Sequence, residues 1–320
     1  MERATLFTIA FGVALITLIG FGPVPARAQT PAVSSAAGGR GNNARPMTIP
    51  VNIRIKGKPE TELQLIDLTV TEDGDPQTVL SLRAFGTNSP LTLAVLIQDD
   101  LVSSISNEIK PLGEFIRRLP KGSRVLIGYL RSGSLQVRQK FTTDLDKAAK
   151  ALRAPVGFAS AAPFNPYVEV VEAIKRFESQ PYGRRAILLV SDGLDVSRGA
   201  DSSSAIQSVD LQRAINEAQR KSIAVYAFYA PTVGGHNSLL TSVAQGALNR
   251  LADETGARAF FQGTGVPVSF DPFIRELSTL LEKQVALTYL STHTEKGFHR
   301  IHVRSSSPGV EIDHPTGYVR

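Results

Sequence analysis

The sequence predicts an α/β protein built on a doubly wound, mainly parallel sheet with one antiparallel edge strand, plus a small β unit from both flanks. In residues 89–284, strands that are apolar on nearly every residue alternate with helices that carry one apolar stripe. This alternation is typical of a sheet covered by helices on both faces. Ser132-Gly133-Ser134 joins two of these strands directly, which predicts the antiparallel pair. Residues 47–88 and 285–320 instead show the two-residue period of half-buried strands.

The first 28 residues have the pattern of a secretory signal. Arg3 precedes the apolar run Leu6–Phe21, and Ala26-Arg27-Ala28 follows it. A basic start, an apolar middle and a small-x-small end predict cleavage after Ala28. The alternative is an uncleaved anchor, but the run is shorter than the roughly 20 residues that a spanning helix needs. We therefore expect an exported protein, periplasmic or secreted, with no membrane span in the mature chain. Residues 29–46, rich in Ala, Gly, Ser and Asn, predict a disordered linker.

Residues 47–88 predict an N-terminal β segment. Val51, Ile53 and Ile55 alternate with polar residues, and Asp73-Gly74-Asp75-Pro76 is a strong turn signal between two further strands. Three or four such strands are too few to be stable alone.

The central α/β domain, residues 89–284, begins with the apolar strand Leu91–Ile97. The helix that follows has its apolar residues four and three positions apart, with Pro111 among them, so we expect it to kink or to start late. The elements after it are the strands Arg124–Leu130 and Leu135–Phe141, a short helix at Leu145–Leu152, a helix from Asn165-Pro166, the strand Ala186–Val190, a helix near Val209–Ser222, the strand Ile223–Tyr229, a helix over Leu240–Leu251, the strand Ala257–Phe261 and a helix over Phe273–Leu281.

Residues 285–320 predict a C-terminal β segment with three short strands, Val285–Leu290, Phe298–Val303 and Val310–Ile312. Because this set is also marginal alone, we expect it to pack with residues 47–88. His299 and His302 are three positions apart on one of these strands and so point to opposite faces. No metal shared by this pair is expected.

Composition excludes several classes of function. The 320 residues include no cysteine, which excludes disulfides, thiolate zinc sites, iron–sulfur clusters and a cysteine nucleophile. The net charge of +6 is a mild excess and does not predict a nucleic-acid partner. The sequence has no Gly-x-Ser-x-Gly elbow, no dinucleotide-binding glycine motif and no phosphate loop. We therefore expect a protein that is not an enzyme.

Acidic and hydroxyl residues follow the strands of the central region. The three loops are residues 98–104, residues 160–165 and residues 191–195. Ligands of open α/β sheets bind beyond the carboxyl ends of the strands, where such loops converge. Their oxygen atoms suit Mg²⁺ or Ca²⁺. A divalent ion held by few protein anions can also accept a carboxylate from a partner, which is adhesion chemistry.

The order of the elements, the Ser191-Asp192-Gly193 loop and the stretch Thr69–Gln77 (TVTEDGDPQ) resemble the von Willebrand factor A domain family. More narrowly, the chain is similar to exported bacterial versions that have a β segment on each side of the A domain. The resemblance covers about Met47–Arg320. It implies a Rossmann-like sheet and a module of adhesion or scaffold type that binds an unidentified protein partner at the loop rim.

The family also has a metal-ion-dependent adhesion site, with Asp-x-Ser-x-Ser after the first strand, a Thr on the second loop and an Asp on the third. Asp192 matches the third part. The first part matches in neither register: counting from the strand end gives Gln98, Asp100 and Val102, and sliding by one gives Asp99, Leu101 and Ser103. The second loop offers only Ser160 or Asn165.

The resemblance thus implies a degenerate site in which Asp99, Asp100, Ser103 and Asp192 hold Mg²⁺, or Ca²⁺ or Mn²⁺. Three alternatives stay open. In the first, Asp99, Asp100, Ser103 and Ser104 only cap the following helix, and Asp192 lies in a simple turn. In the second, the same fold binds its partner without a metal, by surface shape and charge. In the third, the acidic loops belong to a divalent-metal-dependent hydrolase.

Overall fold

The computed structural model describes residues 44–55, 67–86, 88–197, 208–235 and 237–320. The predicted signal peptide and residues 29–43 of the predicted linker lie outside these ranges. The strands are β1 (Arg45–Ile55), β2 (Leu68–Glu72), β3 (Asp75–Ala84), β4 (Thr92–Gln98), β5 (Arg124–Arg131), β6 (Ser134–Thr142), β7 (Arg185–Ser191), β8 (Ala224–Tyr229), β9 (Ala259–Phe260), β10 (Val285–Ser291), β11 (Phe298–Ser305), β12 (Val310–Asp313) and β13 (Gly317–Val319). The helices are α1 (Ile109–Arg117), α2 (Leu145–Lys150), α3 (Pro166–Lys175), α4 (Val209–Arg220), α5 (Ser238–Glu254) and α6 (Asp271–Lys283).

Seven strands form an antiparallel sheet in the order β12-β1-β10-β3-β2-β11-β13. Strands from the two flanks of the sequence are interleaved in it: β1 lies between β10 and β12, and the pair β3-β2 lies between β10 and β11. The alternation of polar and apolar residues along these strands buries one face. The core of this sheet is a cluster of its own, made of Ile49, Val51, Leu68, Val70, Leu287, Tyr289, Ile301, Val303 and Tyr318.

Six strands form a second, mixed sheet in the order β6-β5-β4-β7-β8-β9. The five strands from β5 to β9 in that order are parallel, and β6 runs antiparallel to β5 at one edge. Every residue of β4 and β7 is buried. Strands that are covered on both faces need such continuous apolar sequence, because no side faces water. Apolar residues of all six helices complete the larger core of the molecule.

The predicted fold class is wrong. The chain does not form one doubly wound parallel sheet with a small β attachment, because the larger sheet is the seven-stranded antiparallel one and the second sheet is mixed. The sequence predicts that the two sets of flanking strands pack together as a small β unit, but not that they form the larger of the two sheets. In the structure, β1 and β3, of 11 and 10 residues, each pair with β10 from the other flank. This pairing produces a full sheet from two sets that are insufficient alone.

The two sheets belong to one compact unit, Asn43–Arg320. The chain passes between them after β3 and before β10, and the buried Arg184 lies at both crossings. Its guanidinium donates hydrogen bonds to the carbonyl oxygen of Ser89 (2.9 Å), to that of Leu281 and to Oε1 of Gln284 (3.2 Å). Among the described residues, we find no helix with the length and apolar character required to cross a membrane.

Candidate functional site

The ends of β4 and β7 meet at one edge of the mixed sheet, because these strands are parallel and Ile97 pairs with Val190. The buried Gln98 connects the two loops that follow. Its Oε1 accepts hydrogen bonds from Oγ of Ser191 (2.5 Å) and from the backbone N–H of Asp192 (3.3 Å). Its Nε2 donates to Oδ1 of Asp100 (2.9 Å). The geometry therefore brings the first and third candidate loops together through an amide side chain.

A cavity of about 180 Å³ opens beside this junction. Gln98, Asp100, Asp192 and Thr232 give it polar atoms, and Phe164 lies on its apolar side. Both aspartates are buried. Two carboxylates in so small a volume favour a cationic or hydrogen-bond-donating group from outside. Of the four predicted ligands, the structure places Asp100 and Asp192 on this cavity.

Asp99 faces elsewhere and is fully buried. Arg153 binds its carboxylate through two nitrogens, at 2.6 and 2.8 Å, and the backbone N–H of Val156 donates to it at 3.1 Å. Arg131 adds an ion pair at 3.6 Å. Bidentate pairing of this kind is geometrically strong, so a metal at Asp99 would have to displace a guanidinium. The hydrogen bond to Asp99 is also the largest cause that raises the pKa of Arg153.

Ser103 is exposed and begins a 3₁₀ helix, Ser103–Glu108. Its carbonyl oxygen accepts a hydrogen bond from Oγ of Ser106, and it is not among the residues that line the cavity. The N-cap of this short helix is Val102, with no side-chain cap hydrogen bond, so none of the predicted ligands caps it. Metal binding by the four predicted residues stays a prediction, with two of them on the cavity and two away from it.

The third loop has the geometry of a turn fixed by its own side chains. Oδ1 of Asp192 accepts the backbone N–H of Leu194 at 3.1 Å. The buried Tyr167 donates its hydroxyl to the carbonyl oxygen of Gly193 at 2.5 Å. Burial, and then the negative charges of Asp192 and Asp195, raises the pKa of Tyr167 well above its ordinary value. The second loop is fixed similarly, because Asn165 caps α3 by accepting the N–H of Tyr167.

Three exposed apolar side chains lie on the loops of the cavity, and sequence reasoning missed them. Phe164 lines the cavity, and Phe158 and Val233 precede lining residues in the chain. Phe158 and Phe164 are 68% and 56% exposed, and Val233 is 42% exposed. Phe164 has a left-handed backbone, with φ of 63°, and its carbonyl oxygen accepts the N–H of Val196 at 2.8 Å. A bulky residue is seldom found in this conformation, which is tolerated where the surroundings enforce it. An aromatic residue in a loop of small residues is the sequence signal that could have identified Phe158 and Phe164.

Glu169 in the first turn of α3 was also missed. Its side chain is buried, and burial, followed by the charges of Glu172 and Asp100, raises its pKa to about 9. Hydrogen bonds from the backbone N–H groups of Gly133 and Ser134 lower the pKa of Glu169, but these are smaller effects. Glu169 therefore has a neutral carboxyl group at neutral pH. On the other side of Asp99, Arg131, Arg138 and Arg153 line a basic cleft of about 520 Å³.

No protein-family model matches the sequence, and no curated protein matches it. Solved structures are similar to parts of the chain at low identity. A conserved hypothetical protein, BatB from Bacteroides thetaiotaomicron, is 15% identical, with 60% of this chain and 98% of that chain covered and a TM-score of 0.43. An aerotolerance-related membrane protein from Bacteroides fragilis is 12% identical, with coverage of 60% and 99% and a TM-score of 0.40. The N-terminal domain of TFIIH p34 is 12% identical, with coverage of 61% and 98% and a TM-score of 0.37. TM-scores below 0.5 assign neither a family nor a function to this chain.

Proposed function

We propose that this chain is an exported protein-binding module of adhesion or scaffold type, and that its partner binds at the loop rim around the acidic cavity. We define the loop rim as Phe158, Phe164 and Val233 together with the cavity residues Asp100 and Asp192. The observation that carries the proposal is the exposure of Phe164 on a cavity with two buried carboxylates, with a second exposed phenylalanine, Phe158, next to the lining residue Ala159. Aromatic anchors around a desolvated polar centre are typical of the energetically dominant residues of protein interfaces.

The chemistry of the loop rim supports a partner with a basic group and apolar side chains. A lysine or arginine of the partner would enter the cavity toward Asp100 and Asp192, and apolar side chains beside it would cover the phenylalanines. The resemblance of the sequence to the von Willebrand factor A family supports the same class of function. We propose neither a catalytic reaction nor a nucleic-acid partner.

Partner binding without a metal is the version that the hydrogen bonds favour. Gln98 already donates to Asp100, the N–H of Leu194 already donates to Asp192, and Arg153 neutralises Asp99. The two amide donors satisfy oxygen atoms of Asp100 and Asp192 without a metal ion, and Arg153 occupies the carboxylate of Asp99 that an ion would need. In the second version, Mg²⁺, Ca²⁺ or Mn²⁺ binds at Asp100 and Asp192 and mediates the contact.

A pull-down with purified residues 29–320 tests the proposal. The Phe158→Ser/Phe164→Ser double variant should capture at least tenfold less of a specific envelope protein than the wild type. Tyr182→Ser is the matched control, because Tyr182 is 96% exposed but precedes the amino end of β7, at the opposite edge of the sheet.

EDTA should leave capture by the wild type unchanged. Loss of capture in EDTA, accompanied by loss of capture in Asp192→Ala, would select the metal version. Equal capture by the double variant would contradict a binding site at the loop rim. Hydrolysis of an ester or phosphoester panel that Asp192→Ala abolishes would identify an enzyme instead.

A further inference from the structure

Two histidines and an aspartate converge on the antiparallel sheet, away from the loop rim. Asp73 lies in the turn between β2 and β3, His293 follows β10, and His299 lies in β11. One potential ligand atom from each lies within 4.8 Å of the others. Asp73 is exposed, His293 is half-buried and His299 is buried, so the cluster is open to solvent on one side.

The β2–β3 turn fixes the position of Asp73. Glu72 pairs with Asp75, so Asp73 and Gly74 are the two turn residues, with φ of 51° and 95°. A two-residue turn of this type requires positive φ at both positions, for which Asp-Gly is a favoured pair. Oδ1 of Asp73 accepts the backbone N–H of Arg300 at 2.7 Å. This contact leaves Oδ2 toward the imidazoles, 2.7 Å from Nδ1 of His299 and 3.7 Å from Nδ1 of His293.

His299 has the orientation of a metal-binding histidine. Its Nε2 lies 2.8 Å from the carbonyl oxygen of Glu295, which only accepts hydrogen bonds, so Nε2 carries a hydrogen. In the neutral ring, Nδ1 is then a lone-pair donor that faces Oδ2 of Asp73. Because both Nδ1 and Oδ2 carry lone pairs, they attract each other only through a cation that they share, which is either a proton or a metal ion. A backbone carbonyl on the outer nitrogen is also a typical partner of a metal-bound histidine.

His293 lies close to two carboxylates without forming a hydrogen bond to either. Its Nε2 lies 3.3 Å from Oδ2 of Asp75, but among the described residues this buried nitrogen has no hydrogen-bond partner. Its Nδ1 lies 3.7 Å from Oδ2 of Asp73. Both histidines therefore present Nδ1 to Asp73, and only His299 has a hydrogen-bond acceptor at Nε2.

The carboxylate of Glu72 is a further indication that a cation binds at this cluster. It is fully buried, and its Oε1 accepts hydrogen bonds from Tyr318 (2.6 Å) and Ser291 (3.0 Å). The same oxygen lies 3.8 Å from Nδ1 of His299. Among the residues that the structure describes, Oε2 has no hydrogen-bond partner. A fully buried carboxylate beside the imidazoles adds negative charge to the cluster, and a bound cation would compensate this charge.

We infer that Asp73, His293 and His299, with Glu72 beside them, form a binding site for a divalent transition-metal ion of the zinc type. Two imidazole nitrogens with carboxylate oxygens suit zinc, whereas Mg²⁺ and Ca²⁺ prefer ligand sets made of oxygen alone. The ligands come from β2–β3, from the end of β10 and from β11. The ion would thus connect strands from both flanks of the sequence and stabilise the antiparallel sheet.

Metal binding to purified residues 29–320 tests the inference. After treatment with chelator and dialysis, the wild type should bind one Zn²⁺ per chain by calorimetry and show a higher Tm with Zn²⁺ but not with Mg²⁺. His293→Gln and Asp73→Asn should lose this ion and the Tm shift. His302→Gln is the matched control, because His302 is exposed on the opposite face of β11 and its variant should bind Zn²⁺ as the wild type does.

Two further measurements distinguish loss of the Zn²⁺ site from loss of the fold and from binding at the loop rim. Co²⁺ bound to the wild type should give a visible absorption spectrum that changes in His293→Gln, whose fold is checked by circular dichroism. Asp192→Ala should retain the Zn²⁺ ion, which separates this site from the loop-rim cavity. Absence of Zn²⁺ binding by the wild type, or equal binding by a folded His293→Gln, would overturn the inference and leave the cluster as an ion pair without metal.

Discussion

Glu169 is the residue whose charge depends most clearly on the fold. The group is buried in the first turn of α3, and its pKa is raised to about 9 by burial and by two neighbouring carboxylates. Between the pKa of an unfolded glutamate and this value, the native state binds more protons than the unfolded state. The free energy of unfolding therefore decreases as the pH rises through this interval.

We predict that Glu169→Gln removes this pH dependence. The wild type should lose stability between pH 6 and pH 9, by up to about 1.4 kcal/mol per pH unit, because one proton must be released from a buried group. Urea unfolding at four pH values in this range measures the slope. Glu114→Gln, which removes a partly exposed carboxylate from α1, controls for net charge. A wild-type slope that persists in Glu169→Gln would show that another group causes it.

At the scale of elements, the loop after β7 packs directly on α5. Gly193 has φ of 75°, and a Cβ atom there would clash with Leu248 and lie 2.9 Å from the carbonyl oxygen of Ala244. Both residues belong to α5, and both are fully buried. The close approach of loop and helix helps to set the position of Asp192, which is the preceding residue in the chain.

Gly193→Ala should therefore destabilise the protein by about 1–3 kcal/mol through overpacking, in addition to the cost of its backbone conformation. Gly133→Ala is the control, because Gly133 has the same φ of 75° and a Cβ atom added there would have open space within 4 Å. The difference between the two Tm values isolates the contact with α5. Equal losses of stability in the two variants would mean that the contact contributes nothing beyond backbone strain.

Local signals in the sequence predict elements well where the cause is local. Asn165-Pro166 does begin α3, with the asparagine as its cap and the proline in the first turn. Pro111 lies in the first turn of α1, after a 3₁₀ segment, where its missing N–H costs no helical hydrogen bond. The partner of Asp99 could not be found this way, because Arg153 is 54 positions away and many arginines were equivalent in the sequence.

The same limit explains the larger errors. The cluster on the antiparallel sheet combines the turn residue Asp73 with histidines more than 200 positions later, and only the strand order brings them together. The fold class was wrong because the flanking strands form the larger, seven-stranded antiparallel sheet, and no local period encodes how many strands a sheet joins. The meeting of the loops after β4 and β7, in contrast, follows from two adjacent parallel strands.

At the scale of the whole molecule, Arg184 connects the two sheets. It immediately precedes β7 of the mixed sheet, and it donates to Ser89 and Gln284, which flank the crossings to the antiparallel sheet. Its guanidinium also lies 5.1 Å from the ring centre of Phe85, the residue after β3. Burial lowers the pKa of Arg184, which is the cost of a cation at this position.

Arg184→Met should lower the free energy of unfolding by about 2–4 kcal/mol, because several buried acceptors lose a charged donor. Hydrogen exchange should show faster opening of the antiparallel sheet. Arg185→Met is the control, since Arg185 is equally buried but donates to the nearby carbonyl oxygens of Gln180 and Pro181. Equal exchange in both variants would contradict a connecting role for Arg184.

The position of β1 between β10 and β12 also has a consequence during synthesis. The hydroxyl groups of Thr48 in β1 and Thr288 in β10 form a hydrogen bond with each other, and the two residues are 240 positions apart. The ribosome therefore releases β1 long before either neighbour exists, and its edges stay unpaired throughout that interval. Unpaired edges are where chains associate wrongly. Nascent chains that end before β10 therefore expose an unpaired strand, and we expect them to aggregate unless a chaperone covers it.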